Sequence, residues 1–241
     1  MSIFLKQTDP AARWRIDSPE ALEAAIRACG IVPFFENPIA GYSIEEMTPR
    51  ECWFDGEEDS LGPWDWKIFA VQTGEIAYGK FLWGGKAAFA TAECYRDLLN
   101  WRRSLPKYAL REGDSQAYEA VCRAGSMTTR ELRRICGLKK AQMDAITTRL
   151  EQQTRLVIGD FERVYKGQFL EYSGWQLATL CRPEDLFEAP DFQAFAGFPG
   201  AAASHPLAPD CTPAESFERL CAHVTALTGE RDRARLLKLL G

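Results

Sequence analysis

The sequence predicts an α+β protein with three parts: an N-terminal mixed domain with a β-hairpin (residues 1–110), a central winged helix-turn-helix (111–187), and a linker with a short C-terminal helical segment (188–241). Three observations lead there. Helical periodicity and strand-like runs alternate in the first part, where a glycine pair, Gly84-Gly85, separates two strands. Beyond Pro106 and Gly113 the order becomes helix, helix, helix, strand, loop, strand, an order that few folds share. From Glu188 to Pro213 the composition shifts to Ala, Pro, Gly and Phe, as in a linker or a loop packed on the surface. A chain of 241 residues that is 46% hydrophobic and 26% charged is long enough to bury such cores and excludes disorder.

The first helix starts at Ser18 as N-cap with Pro19 at its first position, buries Leu22, Ala25, Ile26 and Cys29, and stops at Gly30. Ile31 to Phe35 is a short apolar run, followed by the loop Glu36-Asn37-Pro38 and an acidic stretch to Asp59. Pro63 opens a second short helix through Trp64, Trp66, Phe69 and Ala70, which Gly74 ends. Glu75 to Trp83 and Lys86 to Ala90 are the hairpin strands. Thr91 then caps a helix with Tyr95, Leu98, Leu99 and Arg102 at helical spacing, and Ser104 to Asp114 marks a domain boundary.

In the central part, Gln116 to Ala124 is expected to turn Tyr118, Val121 and Cys122 inward. Thr128 and Glu131 form a capping box for the next helix, with Leu132, Ile135 and Cys136 towards the core and Gly137 as the stop. A third helix buries Met143, Ile146 and Leu150, and two strands follow: Leu156-Val157-Ile158 and, after a polar stretch at Lys166-Gly167, the alternating Trp175, Leu177 and Thr179. Ser216 to Leu227 and Glu230 to Leu240 form a terminal helical pair.

Charge is unevenly spread, with a net of −8 over residues 1–66, +4 over 67–110, +3 over 111–170 and −4 over 171–241. A polyanion is therefore met by the middle of the chain. Eight cysteines without a CxxC pair point to reduced thiols, and with His205 and His223 the only histidines, metal sites and histidine chemistry lack their usual ligands. No metal or cofactor is implied. No apolar stretch approaches the roughly 18 residues that cross a bilayer, and the N-terminus lacks a signal-peptide core, so a cytoplasmic protein is expected.

A helix-turn-helix lays its third helix in the major groove of double-stranded DNA. The outward residues there are Lys139, Lys140, Gln142 and Arg149, with Arg130, Arg133 and Arg134 on the second helix and Arg163 and Lys166 on the wing. The alternative for the same surface is a platform for a protein partner. Trp53, Trp64, Trp66 and Trp83 have the spacing of core residues. At the end of the third helix, Glu151 and Gln153 stand two apart at a helix-to-strand corner, where a carboxylate and an amide pointing into a groove position and activate water.

The runs Phe34 to Glu46, Gly62 to Lys67, Tyr78 to Phe81 and Leu150 to Phe161, with Gly174-Trp175 ahead of Pro183-Glu184, resemble a bacterial family, the AlkZ-related proteins, over residues 18–187. That family is similar to the winged-helix DNA glycosylases AlkZ and YcaQ, which remove alkylated bases or unhook crosslinks with a Q-x-Q or Q-x-D motif holding the hydrolytic water. The resemblance implies catalytic roles for Glu151 and Gln153. Here the triplet is E-x-Q: Gln153 agrees with the second position and Glu151 departs from the first.

Overall fold

A computed structural model describes residues 14–53, 62–166, 171–188 and 205–241. The end of the acidic stretch (54–61), the hairpin tip at Gly167 and most of the linker (189–204) lie outside the described residues, as do the side chains of Lys166 and of 171–175. Helix α1 (Pro19–Cys29) begins where the Ser18 hydroxyl accepts from Ala21 N and buries the four residues its periodicity predicts. It leads into β1 (Ile31–Pro33). A short helix, α2 (Ile44–Met47), lies in the acidic stretch; Ser43 caps it by accepting from Glu46 N. Helix α3 (Pro63–Gln72) precedes the hairpin of β2 (Ile76–Leu82) and β3 (Lys86–Thr91). Helix α4 (Ala92–Arg103) follows, and Thr91 stands at its cap without a side-chain hydrogen bond.

The central part continues as α5 (Glu112–Ala124), β4 (Ser126–Thr128), α6 (Thr129–Cys136), α7 (Lys140–Gln152), β5 (Val157–Lys166) and β6 (Glu171–Cys181). A single turn, α8 (Pro183–Leu186), precedes the terminal helices α9 (Pro213–Thr228) and α10 (Arg233–Leu240). All the described strands join one antiparallel sheet in the order β1-β3-β2-β5-β6-β4. The seam between β2 and β5 is one backbone pair, Tyr78 opposite Ile158.

Two hydrophobic cores flank that seam. The larger gathers α1, α3, α4 and the β2–β3 hairpin; the smaller is built from Ala117, Ala120 and Val121 of α5, Leu132 of α6 and Met143, Ile146 and Leu150 of α7. The terminal helices pack on the rest of the chain: Phe217, Leu220, Val224, Leu236 and Leu239 belong to the larger core. Trp101 of α4 stacks on Phe217 of α9 at 4.3 Å between ring centroids. The segment Ser104 to Asp114 holds a 3-10 turn (Pro106–Tyr108), and α5 starts at Glu112 rather than Gln116.

Four expected inward side chains differ, half-buried Cys136 of α6 among them. Tyr118 and Cys122 are half-buried, because the small Ala117 and Ala120 face the core and bring α5 close to its neighbours. Ile135 is 52% exposed, since Leu132 alone fills the inner side of the eight-residue α6. The capping box forms as expected: Glu131 N donates to Thr128 Oγ1 at 3.2 Å, and Thr128 N donates to Glu131 Oε2 at 2.9 Å. Thr128→Ala is therefore expected to cost on the order of 1 kcal/mol in urea unfolding. A loss near zero would show that the cap does not hold α6.

Candidate functional site

Helix α7 runs through the smaller core and ends against the hairpin of the larger one. The Glu151 carboxylate is buried and accepts from Lys80 N of β2 at 2.5 Å. Gly79 makes this approach feasible, because a Cβ there would lie 2.8 Å from Glu151 Oε2. Burial pushes the Glu151 carboxyl up to about 7, while the Lys80 N–H and the Lys80 charge act in the opposite direction. The Lys80 ammonium donates to Thr148 Oγ1 of α7 at 3.3 Å, a second link across the same joint.

Gln153 points elsewhere. Its Nε2 donates to Ala109 O at 3.1 Å, while its Oε1 is buried without a protein partner. Thr154 next turns the chain with a left-handed φ of 55°, an uncommon conformation for a β-branched residue. Arg103 of α4 holds this corner, donating to Thr154 O at 2.6 Å and to Glu184 Oε1 of α8 at 2.5 Å. Fully buried Arg102 donates to Gln152 O at 2.8 Å and to Leu240 O of α10 at 3.1 Å, with its ring neighbour Tyr108 4.9 Å away.

Sequence reasoning missed this polar cluster, although Arg102 gave a signal as a charged residue on the apolar stripe of α4. The Tyr95 hydroxyl lies within the field of Arg102, Arg103, Glu151 and Glu184, and burial pushes its pKa up. Tyr95 Oη, Arg103 Nε, Glu184 Oε2 and Arg155 Nε are, like Gln153 Oε1, buried without a protein partner. The corner is thus charged, enclosed and rigid. Its titrating group near neutral pH, Glu151, is acid-base competent but faces a backbone amide. Neither Glu151 nor Gln153 lines the concavities beside α3 or among α6, α7 and β6.

The cationic residues divide into two faces. Arg130, Arg133 and Lys140 line a concavity of about 300 Å³ with Met143, Asp144 and Leu177 of β6. Exposed Arg134 and Lys139 flank the α6–α7 turn, where Gly137 takes a left-handed φ of 65°. Arg149 does not join them: Asp114 of α5 takes its guanidinium in two hydrogen bonds, 2.6 and 3.0 Å. The Gln142 Oε1 accepts from Lys139 N at 3.0 Å and so braces the start of α7. Arg163 lies opposite Gln176 in the β5–β6 register, one step from the pair Glu162 and Leu177, and therefore points to the other face of the hairpin, towards α3. The backbone of Lys166 ends β5.

The eight cysteines form no disulfide with one another, and Cys29, Cys181 and Cys221 are buried. Burial pushes the Cys181 thiol up to about 12, so it is a poor nucleophile. Asp97, Asp210 and Cys211 lie close enough together to share a metal ion. Two guanidiniums already serve those carboxylates: Arg96 approaches Asp210 at 3.1 Å, and Arg219 approaches Asp97 at 3.4 Å. The group clamps α9 to α4.

The sequence profile described as AlkZ related matches residues 16–241. The chain belongs to the AlkZ-related family. The match takes in the terminal helices as well as the segments named above, in keeping with their place in the larger core. Among curated proteins and among solved structures nothing matches the chain. In this AlkZ-related protein no described helix is long and apolar enough to cross a membrane.

Proposed function

We propose that this AlkZ-related protein binds double-stranded DNA through a winged helix formed by α5, α6, α7 and the β5–β6 hairpin, with α7 as the recognition helix. One observation carries the reading: Arg130, Arg133 and Lys140 converge on a single concavity, and among the described residues none of them, nor Lys139 or Arg134, takes part in a salt bridge. Unpaired cations on adjacent helices suit phosphates spaced along a backbone, and each contact releases counterions. The protein-partner reading has no comparable support there, because Ile135 is a lone exposed apolar side chain among arginines.

Glu151 and Gln153 serve, in this reading, as the joint between the two cores. Their hydrogen bonds reach Lys80 and Ala109, and both side chains are 3% exposed. Fluorescence anisotropy with a labelled duplex over a salt series tests the proposal. Affinity is expected to fall as salt rises, and Lys139→Ala with Lys140→Ala to weaken binding and flatten the slope by about two. No binding at low salt, or an unchanged slope in the double variant, would overturn it. Incubation with an N7-methylated duplex is expected to leave the base attached; release that Gln153→Ala abolishes would overturn the joint role and establish base excision instead.

A further inference from the structure

A second concavity lies on the opposite face of the β5–β6 hairpin, and the proposed duplex surface does not use it. Its volume is about 440 Å³, within the range of small-molecule sites. One wall is a single stripe of α3, where Asp65, Ile68, Phe69 and Gln72 recur at the spacing that lines up one helix face. The other wall is one face of the hairpin: Phe161 and Arg163 are two apart on β5, and Gln176 stands opposite Arg163 on β6.

The chemistry of these walls is specific. Phe69 is 51% exposed, although Trp66 and Ala70 on the same helix are buried; its ring borders this concavity and a smaller one beside Pro19, Glu20 and Glu23 of α1. Phe161 is only 9% exposed and forms a fixed apolar floor, with the Lys67 ammonium 5.6 Å from its ring centroid. Two amides and a carboxylate border the rings. The Asp65 carboxylate caps α3 weakly, its Oδ2 accepting from Gly62 N at 3.4 Å, and Gln72 Nε2 donates to Asp160 at 3.0 Å, which leaves its carbonyl oxygen for another donor. Arg163 supplies the cation at the rim.

We propose that this groove binds an unstacked nucleobase with its phosphate: the base against Phe69 and Phe161, its exocyclic amino group towards Asp65, and the phosphate at Arg163. A flat heterocycle matches the rings, and an anion beside an amine donor matches the guanidinium and the carboxylate. Thymine has no exocyclic amine, so adenine, cytosine and guanine are preferred to it. The base comes either from a free nucleotide or from single-stranded DNA. The site shares no residue with the α6–α7 surface, so it stands or falls independently of duplex binding.

The test is fluorescence anisotropy of labelled (dA)8, (dC)8 and (dT)8, together with calorimetric titration of deoxyadenosine monophosphate into the full chain. (dA)8 and (dC)8 are expected to bind more tightly than (dT)8. Phe69→Ala should weaken binding about tenfold or more, and Phe69→Trp should retain it. Arg163→Gln should reduce the salt dependence, whereas Lys139→Ala with Lys140→Ala should leave single-strand binding unchanged. Binding of the monophosphate alone assigns the site to free nucleotides, and binding of the oligonucleotides alone to single strands; either supports the groove. Binding of neither, or equal affinity in wild type and a Phe69→Ala protein with an unchanged melting temperature, overturns it.

Discussion

Arg102→Met is expected to cost about 3 kcal/mol of stability, lowering the melting temperature by roughly 6–12 °C. The guanidinium is 1% exposed and donates to two carbonyls from distant parts of the chain, Gln152 O at the end of α7 and Leu240 O in α10. Methionine has similar length but no donor, so both acceptors lose a buried partner, at about 1–3 kcal/mol each. Part of that loss is offset, because a buried cation without a carboxylate partner is costly and burial already lowers the pKa of Arg102. Arg102→Lys keeps a charge without the planar fork and should fall between the two. Differential scanning calorimetry checks the order; a loss below about 1 kcal/mol for the methionine variant would contradict it.

Glu151→Gln is expected to act in the opposite direction, and only above mildly acidic pH. The Glu151 pKa is raised from an ordinary 4.5 to about 7 by burial. Below the ordinary value the carboxyl is neutral in the folded and unfolded chains, and its contribution to stability is fully present. As the pH rises towards 7 the unfolded chain ionises first, and stability drains away; above 7 the loss is complete, at about 3 kcal/mol for this size of shift. Glutamine stays neutral, keeps an oxygen for Lys80 N, and restores the Q-x-Q triplet. The variant should therefore match wild type near pH 4 and exceed it by up to about 3 kcal/mol at pH 8. Urea unfolding of both proteins across that interval measures the difference, in which the other carboxylates cancel. Parallel pH profiles would show that the carboxyl ionises without penalty where it lies.

The parts of this protein that are legible in its sequence are those written in neighbouring residues. Ser18, Pro19 and Gly30 bound α1, and Thr128 with Glu131 starts α6, because caps act within one helical turn. Facing is harder to read in short helices. Leu132, Ile135 and Cys136 share one stripe of the eight-residue α6, yet packing buries Leu132 fully and leaves Ile135 exposed. The arrangement of the residues singled out in the sequence is not legible there. Arg149 has the spacing of a groove-facing cation, yet Asp114, 35 residues earlier, takes it. Arg163 has the composition of a wing, but strand alternation turns it to α3. The place of α9 depends on contacts such as that of Ser216 with Asp97, 119 residues apart, which no local pattern records.

The seam at Tyr78 and Ile158 gives the sheet an unusual mechanical character. A continuous ladder transmits shear along its whole length, whereas two plates fastened at one rung can rotate about it. Stiffness across that line must come from side chains: the Glu151 carboxylate, the Lys80 ammonium and the Arg102 and Arg103 guanidiniums cross it, as do the Gln72 amide on Asp160 and the packing of Val157 and Phe161 into the larger core. Resistance to twisting across the seam is therefore set by side-chain contacts rather than by strand pairing.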